Sequence, residues 1–278
     1  MTSPMLTRPI PKTGETLPVI GVGTWQGFDV GRRPAARKRL AEVLRRLFEA
    51  GGSVIDSSPM YGRADGVAGD LLAEMNAHHR AFLATKVWTS GRDAGIAEME
   101  DSFRRFQTDR IDLMQVHNLV DWRTQLKTMR TWKEQGRFRY IGITHYTAAA
   151  HDDLADVLEA EDLDFVQMPY SIGDRAAERR LLPVAAARGV GVIPNRPLGG
   201  GGLFRAVRGE PLPGWAGEFG IESWAQFFLK FLLSHPAVTC VIPGTGDPDH
   251  MADALAAGTG PLPDAKTREE MARVVADL

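Results

Sequence analysis

Four side chains of complementary chemistry lie along the first half of the chain: a carboxylate, a phenol, an amine and an imidazole. They belong to Asp56, Tyr61, Lys86 and His117. Each stands where a short apolar run meets a loop. In a parallel barrel the ends of consecutive strands face one shared mouth, and such folds place their chemistry there. The four residues are therefore predicted to form a proton-handling site.

Taken singly, each of these residues also has a structural explanation. Asp56 and Lys86 could form a buried structural ion pair. His117 could be a hydrogen-bonded core histidine, and Tyr61 could be a turn residue. Their joint order at successive strand ends favours a functional site, because charged groups inside a barrel mouth are costly unless they are paired or used.

Apolar runs of strand length alternate with amphipathic stretches along the whole chain. The runs end near Gly23, Asp56, Lys86, His117, Thr144, Gln167, Asn195 and Pro243. Amphipathic spacing predicts helices at 35–50, 67–75, 95–106, 122–135, 149–160, 176–188, 222–234 and 248–257. Eight strands in alternation with eight helices predict an α/β fold, a (β/α)8 TIM barrel that forms a single domain over residues 1–278. A doubly wound sheet is the competing fold, but no Gly-x-Gly-x-x-Gly follows the first strand.

Two segments interrupt this alternation. Residues 8–16 precede the first barrel strand and contain a Thr-Gly turn signal, which predicts an N-terminal hairpin closing the barrel floor. Residues 199–220 are rich in glycine and proline but also hold Phe204, Trp215 and Phe219. This segment follows the seventh strand on the mouth side, and we expect it to form a lid or binding loop.

Composition narrows the protein class. The chain has 278 residues, 44% of them hydrophobic and 24% charged, with a formal net charge of −2, which fits a soluble enzyme and argues against nucleic-acid binding. Cys240 is the only cysteine, so an intrachain disulfide is impossible. Residues 1–8 lack a signal peptide, and the apolar helix at 224–233 is interrupted by Lys230 and too short for a bilayer. A cytoplasmic protein without a membrane partner is predicted.

The same residues resemble those of the aldo-keto reductase superfamily over nearly the entire chain. The matching parts, besides Asp56 and Tyr61, are the segments 21–25, 85–86, 115–117, 140–144, 165–167, 197–199 and 241–245. The resemblance implies a (β/α)8 barrel that uses a nicotinamide dinucleotide without a metal. It further implies an NAD(P)H-dependent oxidoreductase that reduces aldehydes or ketones to alcohols by hydride transfer, with NADP(H) favoured and NAD(H) possible.

Reduction of a carbonyl group needs a hydride on carbon and a proton on oxygen. Tyr61 is the candidate general acid, although a free phenol titrates near ~10. An ammonium about 4 Å away contributes roughly 4 kcal/mol at an effective dielectric near 20, so Lys86 is expected to lower the Tyr61 pKa by about three. Asp56 would keep Lys86 charged and oriented. His117 would donate a hydrogen bond to the substrate oxygen.

The resemblance also implies cofactor contacts at the later strand ends. Gln167 is expected to bind the nicotinamide carboxamide, while Thr144 and His145 replace the family's usual Ser-Asn pair. Asn195 stands where many members have an aromatic residue that stacks on the nicotinamide, and Arg196 replaces a small polar residue. The other expected contacts are Gly23, Thr24, Trp25, Asp56, Leu198, Gly199, Gly200, Gly244, Thr245 and His250.

Phosphate binding is expected at two of these places. The glycine run that begins at Gly199 suits close backbone approach to a pyrophosphate. The helix start after Gly244 and Thr245 could bind the adenosine phosphate. Family members with strong NADP preference often carry Lys and Arg there, whereas this chain has Gly244 and His250. The NADP preference is therefore expected to be modest.

The expected substrate is a small carbonyl compound. The predicted pocket residues are Trp25, Met60, Trp88, Asn118, Trp122 and Trp215. Their aromatic character favours a partly apolar aldehyde or ketone. Few residues separate His117 from the next helix, and the chain ends soon after the last predicted helix, so a shallow and permissive pocket is expected.

Two other functions fit parts of the pattern. A cofactor-binding, redox-sensing regulatory subunit, similar to the potassium-channel beta subunits, could keep all four residues, and a multi-turnover reduction assay would distinguish it from an enzyme. A metal-dependent barrel hydrolase needs several His or carboxylate ligands at strand ends. Besides Asp56 and His117, the strand ends offer only His145, so no metal site is predicted.

Overall fold

A small antiparallel hairpin covers one end of the molecule in the computed structural model, which describes residues 4–278. Its strands are β1 (Thr7–Pro9) and β2 (Thr16–Pro18). Ile10 and Leu17 of the hairpin are buried among the inward-facing apolar side chains of the parallel sheet. The predicted N-terminal hairpin is confirmed, and its side chains fill the floor of the barrel.

Seven parallel strands follow, and each pairs with the next one along the chain. They are β3 (Val22–Gly23), β4 (Val54–Asp56), β5 (Phe82–Val87), β6 (Ile111–His117), β7 (Phe138–Thr144), β8 (Phe165–Pro169) and β9 (Gly191–Asn195). Parallel neighbours in sequence order require a crossover between every two strands, and helices provide these crossovers.

Ten α-helices accompany the strands in the described part of the chain. They are α1 (Pro34–Glu49), α2 (Ala64–Glu74), α3 (Arg92–Phe106), α4 (Trp122–Glu134), α5 (His151–Ala160), α6 (Leu181–Ala187), α7 (Gly202–Ala206), α8 (Trp224–Leu233), α9 (Pro248–Ala256) and α10 (Ala265–Ala276). In α1 the buried residues follow the amphipathic spacing seen in the sequence, since Leu40, Val43, Leu44 and Leu47 face the sheet. None of the helices within residues 4–278 is long and apolar enough to cross a membrane.

The eighth barrel position is held by the segment that ends near Pro243. Val238 bridges Val192 of β9, while Val241 bridges Ile20 and Gly244 bridges Gly23 of β3. This segment closes the (β/α)8 ring, as predicted, but it does so through isolated bridges instead of a continuous ladder. Pro243 lacks a backbone N–H, so a regular ladder cannot continue through it.

The barrel interior changes from apolar to polar along its axis. Successive side chains of a strand point to opposite faces, so Phe82, Ala84 and Lys86 of β5 share the inward face. On β6 the same alternation aligns Leu113 with His117. The lower inward positions are apolar and buried together with the hairpin, and the upper ones carry the polar groups. The polar site therefore rests on a packed apolar floor.

The segment 199–220 is more ordered than the lid or loop predicted for it. It contains α7 and the short 3-10 helices Gly199–Gly201 and Gly214–Phe219. Phe204 contacts Phe228, and Trp215 contacts Phe227, both on α8, with ring centroids 5.7 and 5.9 Å apart. Aromatic packing against α8 therefore gives this segment a defined fold.

The C-terminal helix α10 was not predicted from the sequence. Arg268 of α10 donates to the Phe231 carbonyl of α8, and it pairs with Tyr170 and Glu178. The last helix was predicted at 248–257, but α10 follows it and packs against α8 through a buried polar contact. The segment 1–8, in which no signal peptide is predicted, lies partly outside the described residues.

Two glycines of α2 provide a matched test of helix packing. At Gly69 a Cβ would lie 2.8 Å from the Phe106 Cα and closer still to the Arg105 carbonyl at the end of α3, whereas at Gly66 a Cβ would meet nothing within 4 Å. We expect Gly69→Ala to destabilise the protein by roughly 1–3 kcal/mol through overpacking. Gly66→Ala should stabilise it by about 0.5–1 kcal/mol, since alanine is the better helix former. Urea unfolding of both variants measures the two effects, and equal effects would contradict this packing.

Candidate active site

A buried ion pair forms the centre of the candidate site. The Nζ of Lys86 lies 2.9 and 2.8 Å from the two carboxylate oxygens of Asp56, and it donates to the Ser57 carbonyl at 2.7 Å. The Lys86 side chain is completely buried and that of Asp56 is 4% exposed. Burial is the largest single effect and lowers the pKa of Lys86, but the charge and hydrogen bond of Asp56, together with Tyr61 and Asp65, raise the pKa overall. Lys86 is therefore a fixed ammonium group.

Neighbouring strands bring the pair together. Asp56 ends β4 and pairs in register with Ala84 of β5. Lys86 lies two residues beyond Ala84 on the same inward face, so its long side chain reaches back over the end of β4. The sequence prediction that these residues share one mouth follows from this register.

Two buried glutamines complete the hydrogen bonds of Asp56. Gln167 Nε2 donates to Asp56 Oδ1 at 3.0 Å, and Gln115 Nε2 approaches the same oxygen at 3.4 Å. Thr144 in turn donates its hydroxyl to Gln167 Oε1 at 3.2 Å. Gln115 was not proposed from the sequence as a site residue. Its inward position, two residues before His117 on β6, is the signal that could have identified it.

Tyr61 and His117 complete the group of four. Their rings meet edge to face with centroids 6.2 Å apart, and the Lys86 Nζ lies 5.4 Å from the centre of the Tyr61 ring. His117 Nδ1 is 3.1 Å from the Ser58 hydroxyl. When that hydroxyl donates to Nδ1, the His117 proton resides on Nε2, which can then donate to a substrate oxygen. The structure thus brings all four predicted residues together.

The expected lowering of the Tyr61 pKa was wrong for this structure. Burial raises the pKa of Tyr61, Lys86 opposes this, and Asp56 and Asp65 reinforce it. The expectation considered the ammonium alone and left out burial, which has the largest effect, and the negative charges of Asp56 and Asp65. Tyr61 is consequently a neutral phenol near neutral pH, which is the form that can donate a proton.

His117 is also uncharged under ordinary conditions. Burial lowers the pKa of His117 to about 3, and the nearby positive charge of Lys86 adds to the effect. A neutral imidazole in contact with the phenol donates a hydrogen bond without bringing a second positive charge into the site.

A chain of hydroxyl groups lies beneath the ion pair. Thr24 donates its hydroxyl to Ser57 Oγ at 2.8 Å, and Ser57 donates in turn to the carboxylate of Asp65. Ser57 and Asp65 were not proposed from the sequence, because a serine and an aspartate beside Asp56 and Tyr61 carry no distinctive spacing.

The residues expected to contact a cofactor cluster at the ends of β7 to β9. His145 donates its backbone N–H to the Gln167 carbonyl at 3.1 Å, and Asn195 Nδ2 donates to the His145 carbonyl at 2.9 Å. Asn195 Oδ1 is buried and has no partner among the described residues. At the other side of the mouth, Gly23 bridges Gly244. These residues form a row that ends at the four-residue group.

The glycine run has a backbone that other residues adopt with difficulty. Gly199, Gly200 and Gly201 have φ of +59°, +60° and +85°, and Arg196 has φ of +51°. Arg196 Nη2 lies 3.3 Å from the position of a Cβ on Gly200. A guanidinium group thus covers a bare glycine turn, while Leu198 stays partly buried against the core.

The start of α9 differs from the sequence expectation in its charge. Asp247 caps this helix, and its carboxylate accepts the Asp249 N–H at 2.8 Å. Thr245 accepts the Asp247 N–H at 3.0 Å, so its hydroxyl already takes part in the cap. His250 is exposed one turn away. The Asp247 carboxylate therefore lies at the helix start where the adenosine phosphate of the cofactor was expected to bind.

Three of the predicted pocket residues are exposed at the mouth. Trp25, Met60 and Trp88 are 56%, 43% and 43% exposed, and the Trp88 ring lies 6.2 Å from that of His117. Trp122 is half-buried beneath the Arg123 guanidinium, 4.1 Å away.

The other two predicted pocket residues make contacts of a different kind. Trp215 packs against Phe219 and Phe227. Asn118 has φ of +53° directly after His117, and its Oδ1 is buried without a partner in the described chain. In the part of the chain that the structure describes, no three His, Cys, Asp or Glu side chains converge as metal ligands.

Comparisons with known proteins bear on the family and the fold of this chain. A model of the aldo/keto reductase family matches residues 19–274. The chain is 28% identical over 234 residues to methylglyoxal reductase YeaE of Escherichia coli, covering 81% of this chain and 80% of the relative. It is 25% identical over 245 residues to an NADH-specific methylglyoxal reductase of the same organism, covering 75% and 72%.

A solved structure shows the same fold. The aldo/keto reductase from Klebsiella pneumoniae, crystallised in complex with NADP and acetate, superposes with a TM-score of 0.78 at 25% identity. The match covers 94% of this chain and 93% of the other.

The buried neutral His117 predicts a loss of stability in acid. Its pKa is about 3 in the folded protein but near ~6.5 in the unfolded chain, so between these values the unfolded chain binds more protons. The stability contribution is complete above about pH 6.5 and is lost as the pH falls toward 3. Between pH 7 and pH 4 the free energy of unfolding of His117→Gln should therefore decrease by roughly 2–3 kcal/mol less than that of wild type. Urea unfolding at both pH values measures this difference. His79→Gln, at an exposed position, is the control, and parallel acid profiles for all three proteins would contradict the prediction.

Proposed function

This chain belongs to the aldo/keto reductase family, and we propose that it reduces small aldehydes and ketones to alcohols with Tyr61 as the proton donor. The observation that carries the proposal is the convergence of Tyr61 and His117 on one side of the buried Asp56–Lys86 pair. A neutral phenol, a neutral imidazole and a fixed ammonium in one mouth can protonate a carbonyl oxygen as it gains negative charge.

Each of the four residues has a separate task in this proposal. His117 Nε2 and the Tyr61 hydroxyl orient the carbonyl oxygen, and Tyr61 then gives up its proton. Lys86 stabilises the phenolate that remains, because its ammonium lies beside the ring. Asp56 holds Lys86 in place, and its negative charge offsets the positive charge of the ammonium. A reduced nicotinamide dinucleotide, when bound, supplies the hydride.

The residues at the ends of β7 to β9 fit such a dinucleotide. Asn195 Oδ1 is a buried acceptor that still needs a donor, and a carboxamide N–H₂ is such a donor. Thr144 and Gln167 lie beside it as further polar groups. The turn at Gly200 presents bare backbone next to the Arg196 guanidinium, and together they offer donors to a phosphate. Arginine binds phosphate with paired N–H groups, so Arg196 is well suited to this place.

The cofactor preference follows from charges near the two phosphate positions. The Klebsiella pneumoniae structure contains NADP, whereas one relative is NADH-specific. At the start of α9 this chain offers Thr245 and the exposed His250, and Asp247 places a negative charge there. We therefore propose that NADPH is preferred only modestly and that NADH is also used.

The substrate proposal rests on the exposed apolar side chains at the mouth. Trp25, Met60 and Trp88 present apolar surface, and the Trp88 ring lies 6.2 Å from that of His117. A compact, partly apolar carbonyl compound would be covered by these side chains, whereas a highly charged one would not. Two relatives are methylglyoxal reductases, so methylglyoxal is the first compound to test.

Replacement of the proton donor tests the proposed chemistry. Tyr61→Phe keeps the ring but removes the phenol, and general acid catalysis is worth about 100- to 10,000-fold. We expect kcat for methylglyoxal reduction to fall by that factor while the affinity for NADPH, measured by quenching of tryptophan fluorescence, stays within about threefold. Turnover close to that of wild type would refute the role of Tyr61.

A matched substitution and a partner variant serve as controls. Tyr140→Phe makes the same change at the barrel floor, where the phenol contacts Glu15 and Thr13, and it should leave turnover unchanged. Lys86→Met should also lose turnover, and it should be destabilised because Asp56 stays buried without its cation. A wild-type pH–rate profile in Lys86→Met would disprove the coupling between Lys86 and Tyr61.

The modest NADPH preference gives a pH-dependent prediction. An imidazolium attracts a phosphate more strongly than a neutral imidazole does, so the ratio of kcat/KM for NADPH over NADH should be higher at about pH 6 than at about pH 8. We expect the change to be about tenfold or less, and to disappear in His250→Ala. A large preference that is independent of pH and survives His250→Ala would place the phosphate elsewhere. Loss of that preference in Arg196→Gln would then assign the phosphate to the glycine turn.

A further inference from the structure

A second carboxylate is buried beneath the site, and the proposed reaction does not use it directly. Asp65 lies in the first turn of α2 and is completely buried. Its Oδ1 accepts the Ser57 hydroxyl, and its Oδ2 has no partner within residues 4–278. Burial raises the pKa of Asp65, which shows how unfavourable this place is for a charge.

Ser57 connects Asp65 to the central ion pair. Its carbonyl oxygen accepts the Lys86 ammonium at 2.7 Å, and its backbone N–H donates to the Ala84 carbonyl at 2.9 Å. Its side chain accepts from Thr24 and donates to Asp65. All of its hydrogen-bonding groups are therefore engaged, and the direction of its carbonyl depends on these bonds.

The position of Lys86 matters because its Coulomb stabilisation of a Tyr61 phenolate depends on the distance between the ammonium and the phenol. Asp56 chelates the ammonium from one side, and the Ser57 carbonyl holds it from another. Loss of the Ser57 contact would let the Lys86 ammonium move toward Asp56 and away from the Tyr61 ring. The Coulomb energy at the phenol would then weaken as the separation grows.

We propose that Asp65 is a positioning residue for carbonyl reduction: it fixes Ser57, whose carbonyl oxygen holds the Lys86 ammonium beside Tyr61. This inference rests on the proposed roles of Lys86 and Tyr61. Asp65 affects the proton-donating step through Ser57 and Lys86. It does not contact the substrate or the cofactor.

Two substitutions at position 65 separate the hydrogen bond from the charge. Asp65→Asn keeps an acceptor for the Ser57 hydroxyl, whereas Asp65→Ala removes it, and neither carries the negative charge. We expect kcat to fall about 10- to 100-fold in Asp65→Ala, since small displacements of catalytic groups have effects of this size, and to stay within a few-fold of wild type in Asp65→Asn. KM for the cofactor should not change in either variant. Equal losses in the two variants, or none, would overturn the proposal.

A spectroscopic titration tests the same idea without any substrate. The ultraviolet absorbance of tyrosinate, corrected with the Tyr61→Phe protein, reports the ionisation of Tyr61. Because both variants lack the Asp65 charge, the difference between them reports the position of Lys86. We expect Tyr61 to titrate at a higher pH in Asp65→Ala than in Asp65→Asn. If Tyr61 titrates at the same pH in Asp65→Ala and Asp65→Asn, the proposal is overturned. This result does not depend on which compounds the enzyme reduces.

A third variant keeps the proposal testable if Asp65→Ala does not fold. Ser57→Ala removes the hydroxyl that Asp65 holds, so it should reproduce the loss of kcat and raise the pH at which Tyr61 titrates. Circular dichroism and thermal unfolding establish that each variant is folded. Wild-type kcat in folded Ser57→Ala would overturn the positioning role. Failure of the proposed function would appear differently, as unchanged turnover in Tyr61→Phe.

Discussion

The complete burial of one ammonium group constrains most of the candidate site. Lys86 can remain charged inside the barrel only because Asp56 offers both carboxylate oxygens and Ser57 offers a carbonyl. Breaking such a pair by removing one partner typically costs about 3–5 kcal/mol, because the remaining charge stays buried and uncompensated. Gln115 and Gln167 then satisfy the carboxylate. The groups that perform the proposed chemistry are thus held by the same bonds that make the charge tolerable.

The sequence predicted the repeated part of the fold well, and it was less accurate where the repeat is irregular. Apolar runs of strand length identified the strands of the ring and amphipathic spacing identified their helices, since both are local patterns. The eighth position was placed correctly near Pro243, but its isolated bridges depend on contacts with both ring neighbours. Helix α10 packs against α8 through Arg268, and the segment 199–220 packs against α8 through Trp215. Such contacts are distant in sequence, so local patterns do not show them.

The candidate site could be predicted as a set of residues but not as an electrostatic environment. Asp56, Tyr61, Lys86 and His117 were identified from their order at strand ends. Their proton affinities depend on burial and on every charge within several ångströms, which is why the Tyr61 pKa is raised when Lys86 alone would lower it. Gln115, Ser57 and Asp65 were missed for a related reason. Gln115 and Ser57 form hydrogen bonds with Asp56 and Lys86, and Asp65 forms one with Ser57, and those bonds exist only in the folded protein.

The neutral state of Tyr61 also makes the two directions of the proposed reaction differ in how their rates depend on pH. Reduction of a carbonyl begins from the phenol, which is the form present throughout the neutral range. Oxidation of an alcohol begins from the phenolate, and its fraction falls about tenfold for each pH unit below the pKa. Because burial and two carboxylates raise that pKa, the reverse reaction starts from a rare protonation state. The rate of alcohol oxidation is therefore expected to rise steeply with pH, whereas the final balance between carbonyl compound and alcohol is set by the equilibrium of the reaction itself.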